Sequence, residues 1–103
     1  MHPITVVLTD GYSDWEIAPL CGAGHAFYGA EFRFVSPKGG ALSSAAGLPI
    51  AETARFEAPE DSVVVVCGGP AFEADDGLDI GEKLRQARDA GCIIAGICGG
   101  TIA

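Results

Sequence analysis

Histidine and basic side chains are scarce in this chain of 103 residues. Two histidines and six lysines plus arginines stand beside fourteen acidic residues, for a formal net charge of −8. Nucleic-acid binding calls for a basic stripe that neutralises phosphates, so a nucleic-acid partner is not expected. The same charge argues against docking on anionic membranes. The apolar runs are far below membrane-spanning length, and Met1-His2-Pro3 lacks the basic and apolar regions of a signal peptide, so a cytoplasmic setting is expected. The four cysteines, Cys21, Cys67, Cys92 and Cys98, form no CxxC pair and no metal-like spacing, so neither a disulfide framework nor a metal site is expected. Nor is there a phosphate cradle. The loop Thr9-Asp10-Gly11-Tyr12-Ser13-Asp14 carries carboxylates where such a cradle needs bare backbone, which disfavours flavin and nucleotide cofactors; no cofactor is expected.

What is present is apolar and rich in glycine. Hydrophobic residues make up 49% of the chain, enough for one domain with a core, and the fifteen glycines gather at turns. Ile4-Thr5-Val6-Val7-Leu8 and Ser62-Val63-Val64-Val65-Val66-Cys67 do not alternate, which predicts strands buried on both faces. Further strands are predicted over 31–36 and 92–97. Between 41 and 56 short extended pieces are expected, with a hairpin turn near Ala46-Gly47. A helix is predicted from Asp14 to Tyr28, with Ile17, Leu20, Cys21, Gly24, Phe27 and Tyr28 on one face and Gly29 as its stop. A second helix is predicted over 80–90, ended by Gly91. This alternation implies an α/β fold with a mostly parallel sheet and helices on both faces. In such sheets function gathers at the carboxyl ends of the strands, here 9–11, 67–69 and 97–99.

The last of these ends is the most suggestive. The apolar run 92–97 delivers Cys98 into Gly96-x-Cys98-x-Gly100, the pattern of a nucleophile elbow, in which a strand, a sharp turn and a helix start come in succession. Amide groups at a helix start stabilise a thiolate. The alternative is a buried structural cysteine. Glu16, just beyond the first strand, lies near the same edge if the first and last strands are neighbours, and a carboxyl group there can act as acid or base toward the sulfur. It has a purely structural alternative as well. Ser13-x-x-Glu16 spells a capping box, in which Glu16 reaches back to the Ser13 N–H. Pro19 weighs against that box, because it fits better if the regular helix begins near Trp15 or Glu16. The Gly69 and Gly99 amides are candidates to converge on an anion or oxyanion. His25 lies far down the helix from this edge, so the chain offers Cys98 no imidazole base.

Three segments resemble the ThiJ/PfpI superfamily, relatives of the class I glutamine amidotransferases. They are Asp10-Gly11-Tyr12-Ser13-Asp14-Trp15-Glu16, Val65-Val66-Cys67-Gly68-Gly69 and Ala95-Gly96-Ile97-Cys98-Gly99-Gly100. The resemblance implies a flavodoxin-like α/β sandwich, usually dimeric or higher, with Cys98 as nucleophile, Glu16 as its hydrogen-bonding carboxylate, and Gly69 and Gly99 as oxyanion-hole amides. It implies a cysteine-dependent enzyme acting on a small carbonyl or amide substrate, glyoxalase-like or amidase-like. The alternative it implies is a redox-sensing or chaperone-like stress protein in which Cys98 is oxidised. Gly99 stands where protease-like members carry a histidine, which argues against peptidase activity, and Cys67 replaces the proline common before the Gly-Gly. Members also continue well beyond the elbow. The expectation is therefore a single incomplete domain over 1–103, cut after the elbow and completed by a C-terminal segment or a second chain.

Overall fold

A computed structural model of the protein describes residues 4–57, 63–68 and 81–96. Cys98, Gly69 and Gly99 lie outside the described residues, as does Ile80 at the start of the second predicted helix. The remaining elements come in the expected order. Strand β1 (Ile4–Val7) leads into helix α1 (Asp14–Ala18), a π-helical turn (Pro19–Ala23) and helix α2 (Gly24–Tyr28). Next come strand β2 (Phe32–Ser36), the hairpin β3 (Gly40–Ser43) and β4 (Pro49–Arg55), strand β5 (Val63–Val66), helix α3 (Gly81–Asp89) and strand β6 (Ile93–Gly96).

The six strands form one sheet in the order β3-β4-β2-β1-β5-β6, parallel except where β3 runs antiparallel to β4. β1 and β5 are central and contribute residues to cores on both faces, which is why their sequences do not alternate. Val7, Val64 and Val66 join Val35 and Phe56 under Leu84 and Ala87 of α3. Val6, Leu8 and Cys67 point the other way and meet Tyr12 and Ile17. The sheet is thus covered by helix on both faces, as expected.

Three features of the fold bear on those expectations. First, β1 and the last strand are not neighbours, because β5 lies between them. Its all-valine run is buried on both faces and takes a central place, which sets β1 and β6 two strand spacings, roughly 10 Å, apart. Second, β6 is not buried on both faces. Ile94 packs against the α3-side core, while Ile93 is 66% exposed, because no described element covers that side of the strand.

Third, the long helix does not keep a single apolar face. Ile17 is buried and Gly24 lies so close to the sheet that a Cβ there would meet Phe32 Cζ at 2.8 Å. Phe27 and Tyr28, however, are 82% and 79% exposed. Pro19 explains the change of phase. It has no N–H for the Trp15 carbonyl, so the chain widens into the π turn instead of breaking. Five residues at the wider pitch rotate α2 by roughly a quarter turn relative to an unbroken α-helix, which carries Phe27 and Tyr28 off the sheet. The helix starts at Asp14, earlier than Pro19 alone suggested. It ends where expected, with Gly29 in the left-handed region at φ 68°.

Candidate functional site

The loop between β1 and α1 is gripped from both sides. Toward β5, the Ser13 N–H donates to the Gly68 carbonyl at 3.0 Å, and the Cys67 thiol lies 3.5 Å from the Ser13 carbonyl. Toward the hairpin, Gly11 N–H donates to the Ser43 carbonyl at 2.7 Å and Ala45 N–H to the Tyr12 carbonyl at 2.8 Å. Two carboxylates add to this side. Asp10 Oδ1 accepts the Ser43 N–H at 2.9 Å, and Asp14 Oδ1 accepts the Ala46 N–H at 3.0 Å. The Ser44 hydroxyl, and then the Ala46 amide, hold the Asp14 carboxyl below its usual range. Two of the three strand ends picked out in the sequence, 9–11 and 67–68, therefore do meet.

Glu16 sits on the first turn of α1, and the capping box does not form. Ser13 occupies the cap position without a side-chain cap bond, and the Ser13 N–H that Glu16 would accept is committed to Gly68. Glu16 Oε2 is left buried with no hydrogen-bond partner among the described residues. A buried unsatisfied polar atom costs about 1–3 kcal/mol, and such atoms concentrate where a ligand or reacting group supplies the missing bond. A second atom of this kind is Thr9 Oγ1, just past the end of β1. Nothing in the local sequence marked Thr9, because its lack of a partner arises only from the packing around it.

Cys67 is a core thiol and not a rival nucleophile. It is fully buried, and its pKa is pushed up to about 11, first by burial and then by the Glu16 carboxylate. That second cause agrees with Glu16 lying near Cys67, at the end of β5. His25 is occupied elsewhere, its Nδ1 lying 3.0 Å from the Ala30 carbonyl. Asp10, Asp14 and Ser44 escaped the sequence reading, since the groups that Asp10 and Asp14 bind are some thirty residues away in the chain.

The arrangement matches known structures. A DJ-1 superfamily protein from Agrobacterium tumefaciens is 29% identical and superposes with a TM-score of 0.85 over 95% of this chain and 54% of its own. The chain has the fold of the DJ-1/ThiJ/PfpI superfamily and resembles its members. A ThiJ/PfpI family protein from Pseudomonas syringae is 28% identical, with a TM-score of 0.64 over 96% of this chain and 43% of its own. One from Bacillus anthracis has a TM-score of 0.81 at 21% identity, covering 98% of this chain and 53% of its own, and so shares the fold. The chain spans about half the length of those structures. No protein-family model and no curated protein matches it. No helix among the described residues is long and apolar enough to cross a membrane.

Proposed function

We propose that the protein is a cysteine-dependent enzyme of the ThiJ/PfpI type that acts on a small carbonyl or amide substrate. The observation that carries this reading is the Glu16 carboxyl oxygen, buried and unpartnered at the carboxyl edge of a parallel sheet while its local capping partner is committed to Gly68. A carboxyl oxygen held in that condition is open to a hydrogen bond from a substrate or reacting group. In the reaction, Cys98 Sγ attacks the substrate carbonyl carbon to form a covalent adduct, and Glu16 takes up and returns the proton. The Gly69 and Gly99 amides hold the developing oxyanion. Glyoxalase-like hydration of a 2-oxoaldehyde and amidase-like hydrolysis both use this set of groups. A homo-oligomer completed by a C-terminal segment or a second chain is part of the same reading.

Replacement of Cys98 by Ala in the intact protein is expected to abolish turnover. Methylglyoxal consumption and amide hydrolysis that both continue unchanged in Cys98→Ala would remove the nucleophile assignment. Mild peroxide treatment with peptide mass spectrometry separates the enzyme from a sensor. Selective oxidation of Cys98, in a protein that turns over no carbonyl or amide substrate, would establish the redox-sensing alternative instead.

A further inference from the structure

We propose that Asp14 is a positioning residue for Glu16: by holding the β3–β4 turn against the first turn of α1, it keeps Glu16 out of the capping box and over the end of β5. The inference rests on the proposed role of Glu16 and extends it to a residue that touches no reacting atom.

Two conformations compete for the start of α1. Ser13-x-x-Glu16 has the local chemistry of a capping box, which would turn the Glu16 carboxylate back toward the Ser13 N–H and commit one of its oxygens there. The observed conformation gives up that bond and leaves Glu16 Oε2 buried without a partner. A cost of this kind persists only where the surroundings over-determine the geometry. The surroundings here are a clamp. On one side the Gly68 carbonyl takes the Ser13 N–H. On the other, Asp14 Oδ1 takes the Ala46 N–H at 3.0 Å, and its carboxylate shares a hydrogen bond with Ser44, itself only 5% exposed. Ser44 in turn accepts the Leu48 N–H at 3.0 Å through its Oγ, which fixes the shape of the turn that Asp14 holds.

Asp14 is well placed for this task because it is the first residue of the helix that carries Glu16. An aspartate at that position commonly serves its own helix. This one is directed at the hairpin, so it ties a long-range element to the helix start instead of stabilising the helix alone. Asp10 makes a similar bond to Ser43, but from the loop before the helix, and therefore does not set the orientation of the first turn.

The test reads Glu16 directly. In the intact protein the side-chain carboxyl carbon of Glu16 is observed by NMR at one fixed neutral pH, in the wild type, Asp14→Ala and Asp14→Asn. Asp14→Asn keeps an Oδ1 acceptor for Ala46 and is expected to leave the Glu16 carboxyl chemical shift in place, whereas Asp14→Ala is expected to displace it. An unchanged Glu16 chemical shift in a folded Asp14→Ala protein overturns the proposal, as does equal displacement in Asp14→Asn. Should Asp14→Ala fail to fold, Ser44→Ala removes the side-chain partner of Asp14 on the same side of the clamp and is judged by the same criterion.

A second readout separates this proposal from the reading beneath it. Iodoacetamide labelling of Cys98 is quantified by peptide mass spectrometry in the wild type, Asp14→Ala, Glu16→Ala and the double variant. If Asp14 acts through Glu16, Asp14→Ala moves the rate severalfold in the direction of Glu16→Ala and adds nothing in the double variant. Additive effects overturn the positioning role. A Glu16→Ala rate equal to wild type overturns the Glu16–Cys98 pairing, and the carboxyl chemical shift then still decides whether Asp14 positions Glu16.

Discussion

Raising the pH should unfold this protein through Cys67. The thiol is completely buried, and burial first and the Glu16 carboxylate second push its pKa from 9.0 up to about 11. The folded value lies above the unfolded one, so the contribution to stability is complete below pH 9. It is lost as the pH rises toward about 11, because the unfolded thiol ionises first. A difference of about two pH units at about 1.4 kcal/mol per unit amounts to roughly 3 kcal/mol, a large share of the stability of a small domain.

Urea unfolding measured from about pH 8 to 11 reads this loss as a falling transition midpoint. Tyr12 and Cys21 are also raised, chiefly by burial, and steepen the same slope. The informative quantity is therefore the difference between wild type and Cys67→Ala. The variant loses packing at every pH, which lowers its curve without tilting it, and it lacks the Cys67 share of the slope. Two curves that run parallel from pH 8 to 11 refute the reasoning. Glu16→Gln is expected to narrow the Cys67 window without abolishing it, since burial is the larger cause.

The same structure yields other outcomes. Glu16→Met removes a buried oxygen that has no partner and should raise stability by roughly 1 kcal/mol, seen as a higher Tm, while abolishing any activity that depends on the carboxyl group. A lowered Tm in Glu16→Met would mean that the carboxylate is a structural ligand. Gly24→Ala gains about 1 kcal/mol of helix propensity but sets a Cβ 2.8 Å from Phe32 Cζ, and the clash should win, with a net loss of about 1 kcal/mol in urea unfolding. Phe56→Ala empties a fully buried site between the sheet and α3 and should cost about 3–5 kcal/mol by the same measurement.

The elements and their faces were legible in the sequence for local reasons. The non-alternating runs at Ile4–Val7 and Val63–Val66 are apolar because both sides of those strands are covered, and that property is visible one residue at a time. The left-handed stop at Gly29 and the turn between β3 and β4 are likewise matters of local backbone chemistry. The hydrophobic phase of the long helix was not legible beyond Pro19, because the choice between a break and a π turn depends on the sheet beneath it.

Strand order and the condition of Glu16 belong to the tertiary structure alone. Sequence spacing placed Glu16 at the right edge but left the capping box and the functional role equally available, since Ser13-x-x-Glu16 encodes both. The decision came from the carbonyl of Gly68, fifty-five residues beyond Ser13, which takes the capping N–H and leaves Glu16 Oε2 without a partner among the described residues. It was reinforced by Asp14, whose bond to Ala46 spans 32 residues. A hydrogen bond between groups so far apart depends on how strands are ordered and registered, and no local pattern carries that information. The residue type at position 16 was set by the sequence, and the physical state of its carboxylate was set by the fold.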